Sequence, residues 1–127
     1  MRQSHKLATA AIVGLVSLGS IGCSHLRRDE DAITKDLECT TPIGSQYDVV
    51  LKTLKSKYSH VTESDHGFLS EGDSHFKEVG VKSLDVLLGE YRGFPVFGLV
   101  TSVEAFWGFD QSGKLTEISV QKTTDGP

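Results

Sequence analysis

Three histidines, His60, His66 and His75, stand among Asp65, Glu71 and Asp73. These are residue types that can bind zinc or copper, which need three or four converging ligands. Their spacing, His-x5-His-x8-His, matches no compact helical or knuckle motif, so they read as surface-loop histidines and no metal is expected. Ser70 and Ser74 beside them supply hydroxyls for a nucleophile, but no Gly-x-Ser-x-Gly elbow positions one, and no oxyanion donors can be assigned. Cys39 follows Glu38 and Asp36. Negative neighbours disfavour a thiolate, so no activated sulfur is expected there. Gly89, Gly93 and Gly98 have neither P-loop nor dinucleotide spacing. The expectation is a protein that is not an enzyme, with no cofactor and no small-molecule substrate.

The second cysteine carries a sharper signal. Arg2, His5 and Lys6 form a positive start without an acid, followed by an apolar, small-residue run from Leu7 to Ile21. Those 15 residues reach ~22 Å as a helix, short of the ~30 Å hydrocarbon core, which favours a signal peptide over a membrane span. Ser20-Ile21-Gly22-Cys23 closes the run and resembles the lipobox of bacterial lipoproteins. That resemblance implies cleavage before Cys23 and lipidation of its thiol and new amino group. Burial of acyl chains at ~0.8 kcal/mol per CH₂ would make the modification a firm membrane anchor. Ser24 rather than Asp follows the cysteine, which in the family implies sorting to the outer membrane, facing the periplasm. If Cys23 is not lipidated, a Cys23–Cys39 disulfide remains open, closing a loop of ~15 residues worth ~3 kcal/mol.

The chain has 127 residues, 38% hydrophobic and 24% charged, with 13 Gly, 3 Pro and a formal charge of −4. That excludes a disordered tail, a multi-span membrane protein and a strongly basic nucleic-acid binder. Loss of residues 1–22 removes two bases and no acid, leaving 11 bases against 17 acids and a charge of −6. The expected organisation is a signal peptide over 1–22, a lipidated polar tether over 23–41 that holds the domain off the bilayer, and one domain over 42–127. Arg27 and Arg28 in the tether could touch anionic headgroups.

Within the domain the spacing predicts first a helix. Tyr47, Val50, Leu51, Leu54 and Tyr58 fall on one helical face. Ser45 with Asp48 offers a capping box, and Lys55 and Lys57 suit the C-terminal end of the macrodipole. Residues 60–63 read as a short strand, 65–67 as a turn, Phe68-Leu69-Ser70 as its return and Glu71-Gly72-Asp73 as a second turn. Val81 to Tyr91 reads as a strand, with a helix as the alternative. Val103, Ala105, Trp107 and Phe109 alternate with Glu104, Phe106 and Gly108; Asp110-Gln111-Ser112-Gly113 turns the chain, and Leu115, Ile118 and Val120 return it. Thr123 to Pro127 are expected to fray. The expected fold is α+β: one N-terminal amphipathic helix packed on a small antiparallel sheet ending in a hairpin.

Gly44, Val50 and Leu54, with the closing Phe109-Asp110-Gln111-Ser112-Gly113-Lys114-Leu115, resemble the small BamE-like (SmpA/OmlA) outer-membrane lipoproteins, with Gln46 where that family has a Ser or Thr cap. The resemblance implies an α+β fold and an envelope location.

The stretch Tyr91-Arg92-Gly93-Phe94-Pro95-Val96-Phe97-Gly98-Leu99-Val100 joins two strands yet is rich in large apolar groups. Loops normally face water, so it either folds back on the sheet or meets a partner. Phe106 and Trp107 must point to opposite faces of a regular strand, so one needs cover outside the main core. Tyr91, Arg92, Phe94, Phe97 and Trp107 are therefore the candidate partner-binding residues. The functional expectation is a lipid-anchored, non-catalytic protein-binding or scaffold module of the bacterial envelope. Its rival is a periplasmic inhibitor or immunity protein, steered by its acidic charge toward a basic enzyme such as a muramidase.

Overall fold

A computed structural model describes residues 26–71, 75–93 and 98–126. Two helices, α1 (Glu30–Thr40) and α2 (Tyr47–Lys57), precede six strands: β1 (Thr62–Ser64), β2 (Phe68–Glu71), β3 (Phe76–Val79), β4 (Lys82–Arg92), β5 (Val100–Phe109) and β6 (Leu115–Asp125). The main sheet is antiparallel with strand order β1-β4-β5-β6, and β2 and β3 pair as a separate two-stranded sheet. The chain is thus α+β and closes on a hairpin, as the pattern predicts. Two helices rather than one precede the strands among the described residues, and the second sheet is an addition.

α1 corrects the tether reading of residues 30–41. Its N-cap is Asp29, whose side chain accepts from the Ala32 amide at 2.7 Å, and Glu30 and Asp31 lie where the helix macrodipole favours acids. Charge density suggested a solvated strand of linker, but Ile33 is fully buried and Leu37 packs beside it against the core. At the C-terminal end Thr41 is buried, donates its hydroxyl to Leu37 O at 2.8 Å and accepts the Trp107 indole N–H at 2.9 Å.

α2 forms on the predicted face: Val50 and Leu54 are buried, with Tyr47, Leu51 and Tyr58 half-buried around them. Its start differs from the capping box. Ser45 donates its hydroxyl to Pro42 O, and Gln46 is the N-cap without a side-chain hydrogen bond. The closing hairpin supplies the missing acceptor instead, because Tyr47 N donates to Gly113 O at 2.8 Å. Gly44 N to Leu115 O and Leu115 N to Ser45 O, both 2.8 Å, fix the same junction.

The Asp110–Gly113 turn forms as read. Gly113 sits at φ 82°, a backbone region closed to most side chains. Asp110 Oδ1 accepts from Ser112 Oγ, Ser112 N and Lys114 N. The Ser112 hydroxyl, then the Lys114 amide, hold the Asp110 carboxyl below its ordinary range. β6 does not fray at Thr123: Ser102 pairs with Thr123, Thr101 with Thr124 and Val100 with Asp125, and the Thr101 and Thr124 hydroxyls bond at 2.8 Å. Phe68-Leu69-Ser70 is not the return of 60–63. β1 pairs with β4, while β2 pairs with β3.

Both helices cover one face of the main sheet. There Ile33, Val50 and Leu54 meet Leu84, Val86, Val103, Ala105, Trp107, Phe109, Leu115, Ile118 and Val120. The β2–β3 hairpin lies on the other face, at one end. Phe68 stacks on Phe106 with ring centroids 5.5 Å apart, and a Cβ on Gly108 would stand 2.9 Å from the Phe68 ring and 3.0 Å from Val79 Cγ1. Gly108 is therefore the close approach that lets the small sheet dock. Gln121 Nε2 to Leu69 O and Ser83 Oγ to His66 O secure its edges.

Candidate interaction surface

The sequence-derived candidates separate in space. Cys23, Phe94 and Phe97 lie outside the described residues. Trp107 is fully buried among the core residues. Its place in the partner-binding set is corrected, because a side chain with no exposed surface, hydrogen-bonded to Thr41, has nothing to offer a partner in this fold. Tyr91 and Arg92 are strand residues rather than loop residues, pairing with Thr101 and Val100. Two cations approach the Tyr91 ring, with the Arg27 guanidinium 4.7 Å and the Lys122 ammonium 5.4 Å from its centroid. Lys122 also donates to Arg28 O. Arg92 is exposed, and its carbonyl accepts from Arg27 Nη2 at 3.1 Å.

The alternation argument for Phe106 and Trp107 resolves within the chain. Trp107 faces the helices, and Phe106 finds cover under Phe68 of the small sheet. Among the described residues that cover spans only one end of the second face. Beyond it, register places Asp85, Leu87 and Glu90 of β4 beside Phe106, Glu104 and Ser102 of β5. Leu87 is 53% exposed there. On the small sheet, Leu69 pairs with Glu78 and Glu71 with Phe76, which places Leu69 and Phe76 on the face turned away from Phe106. Leu69 and Phe76 are 60% and 73% exposed. Three large apolar side chains thus emerge on the side of the molecule opposite the helices.

Carboxyls accompany them. Asp85 and Glu104 are diagonal neighbours across β4 and β5. Partial burial, a hydrogen bond shared with Asp85 and the Asp85 charge together raise the Glu104 carboxyl above its ordinary value. Glu90 accepts from the Ser102 hydroxyl at 3.4 Å. Sequence reading missed this pair because alternation places each acid on a face but does not give the register that brings them together.

The raised Glu104 has a consequence for stability. A carboxyl that holds its proton more tightly folded than unfolded makes the fold lose stability as pH rises from the unfolded carboxyl value, near 4.5, through the higher folded value. Above that window the repulsion persists. Glu104→Gln should therefore flatten this slope and stabilise the neutral-pH protein by about 0.5 kcal/mol, a small figure because both carboxyls are only partly buried and water still screens them. Thermal melts of both proteins at pH 4 and pH 7.5 check it. A variant that melts lower than the parent at the higher pH would show that the pair is not repulsive.

Elsewhere, burial first and the hydrogen bond to Glu63 second raise the Tyr47 phenol, whose hydroxyl donates to Glu63 Oε1 at 2.7 Å. That contact ties α2 to β1. His60, His66 and His75 are exposed, and among the described residues no group of three or more His, Cys, Asp or Glu side chains could hold a metal ion. Cys39 is free and exposed on α1. Among the described residues no helix is long and apolar enough to cross a membrane. Comparison with known protein families, with curated proteins and with solved structures finds no match.

Proposed function

We propose that this chain is a lipid-anchored, non-catalytic protein of the bacterial cell envelope, held in the outer membrane through Cys23 and facing the periplasm. In this reading it binds another envelope protein through the side of the sheet opposite the helices. The exposed Leu69, Phe76 and Leu87 on that side carry the proposal. Exposed large apolar groups on one side, in the company of acids, favour a partner with its own apolar centre and a complementary rim. The lipobox-like Ser20-Ile21-Gly22-Cys23 supports the anchor, and the likeness to BamE-like lipoproteins supports the compartment.

Two measurements test the reading. Intact mass of protein from native membranes should show loss of residues 1–22 and added acyl chains, and Cys23→Ser should move the protein from the membrane to the soluble fraction. A photo-crosslinker at Leu87 or Phe76 should give one discrete protein adduct in intact envelopes, while the same group at exposed Lys52 on α2 gives none. Unmodified protein in the cytosol defeats the anchor, and equal labelling from all three positions defeats the surface.

The Asp85–Glu104–Glu90 carboxyls on the same side favour a second reading, an inhibitor or immunity protein for a basic envelope-directed enzyme. Binding that weakens steeply with salt and abolishes the partner's activity would select it.

A further inference from the structure

The described chain begins at Leu26, and its position there is set by packing. A Cβ on Gly89 would stand 2.6 Å from Leu26 Cδ1, and Gly89 lies at φ 154° where the β4–β5 register shifts. The Leu26 side chain therefore lies directly over Gly89, and any side chain at position 89 would have to displace it. The next residue, Arg27, stacks on Tyr91 and donates to Arg92 O. The polypeptide thus reaches the domain at one end of the main sheet, marked by Arg92, Val100 and Asp125 in register. The opposite end carries Lys82, Phe109 and the 110–113 turn. The ten β4–β5 pairs between them span ~30 Å.

Only Ser24 and His25 separate Leu26 from Cys23. Three residues of fully extended chain cover at most ~11 Å. The headgroup layer of one leaflet takes up ~5–7 Å of that, and a domain of about 100 residues has a radius of gyration near ~13 Å. A linker shorter than the domain's own radius cannot let it turn freely above a bilayer.

We propose that the Leu26–Arg27 and Tyr91–Arg92 end of the molecule is a bilayer-facing surface, pinned against the lipid headgroups by its short link to Cys23. The inference rests on lipidation of Cys23 and deepens that reading: it gives the domain an orientation and assigns this end to lipid rather than to a protein. Arg27, Arg92 and Lys122 stand at this end with Glu90 and Asp125, an excess of one positive charge, so linker length rather than a strong net charge sets the orientation. The partner surface opposite the helices then lies along the side of an upright domain, open to the periplasm.

The test uses the full-length chain, processed and lipidated in cells, with Cys39→Ser to leave introduced thiols unique. A fluorophore is attached at Asp125→Cys or at Ser112→Cys, and the protein is placed in vesicles of phosphatidylethanolamine and phosphatidylglycerol containing headgroup-spin-labelled lipid. The probe at position 125 should be quenched at least threefold more than the probe at 112. Ten Gly and Ser residues inserted after Ser24 should erase most of that difference. Equal quenching at both positions, stronger quenching at 112, or a difference untouched by the insertion would overturn the orientation while acyl mass still upheld the anchor. Absence of acyl mass would overturn both. A photo-crosslinker at Arg92 in native membranes should yield lipid-sized adducts; a protein-sized adduct there would assign this end to a protein instead.

Discussion

Trp107→Ala is expected to lower stability by about 3–5 kcal/mol, the cost of deleting a large buried aromatic. Trp107 has no exposed surface, and its indole N–H reaches Thr41 Oγ1, whose own hydroxyl donates to Leu37 O. One side chain therefore fills the middle of the sheet's helical face and ties down the end of α1. Domains of this size are stable by roughly 5–15 kcal/mol, and 1 kcal/mol moves the midpoint by about 4–8 °C. A loss of 15 °C or more in thermal melts, or failure to fold, is the expected reading. Thr41→Val keeps the shape but strands the indole N–H without an acceptor, which should cost about 1–3 kcal/mol. In a Trp107→Phe background the same Thr41→Val change should cost less, because the donor is already gone. A Trp107→Ala protein that melts with its parent yet loses a binding partner would return this residue to the interface and contradict its burial.

Removing everything before Pro42 should be nearly as damaging. A solvated tether could be cut without effect, whereas α1 inserts Ile33, fully buried, and Leu37 into the core beside Trp107 and along β6. The shortened chain should lose the sharp near-ultraviolet signal of packed aromatics or unfold at room temperature. Ile33→Asp makes the same point with one change: a carboxylate forced into an apolar socket without a partner should cost on the order of 4 kcal/mol. Unchanged melting of either protein would restore the linker reading of residues 30–41. The boundary also bears on the proposed anchor, since every residue moved from tether to domain shortens the reach that a lipidated Cys23 would have.

The same contrast explains what could be read from the chain alone. α2 was legible because Val50, Leu51 and Leu54 repeat with the helical period in one local window. The final hairpin was legible because alternation through Phe109 meets the Asp110–Gly113 turn, whose hydrogen bonds lie within four residues. α1 was not, because its inward stripe is narrow and its partners stand far along the chain; Trp107 is 66 residues from Thr41. The cap of α2 was missed for the same reason, since Gly113 rather than Ser45 supplies the acceptor.

The sequence by itself determined the period of α2, the strand character of β4, β5 and β6, and the turn between the last two. Only the tertiary structure decided that β1 and β2 part company, that Trp107 and not Phe106 takes the helical face, that Asp85 meets Glu104, and that residues 26–41 belong to the domain. The division follows from range. Period, turn chemistry and capping act over a few residues and leave a local trace, whereas strand partner, register and choice of buried face are settled by contacts between segments distant in the chain, where alternative pairings bury similar patterns until the helices select one.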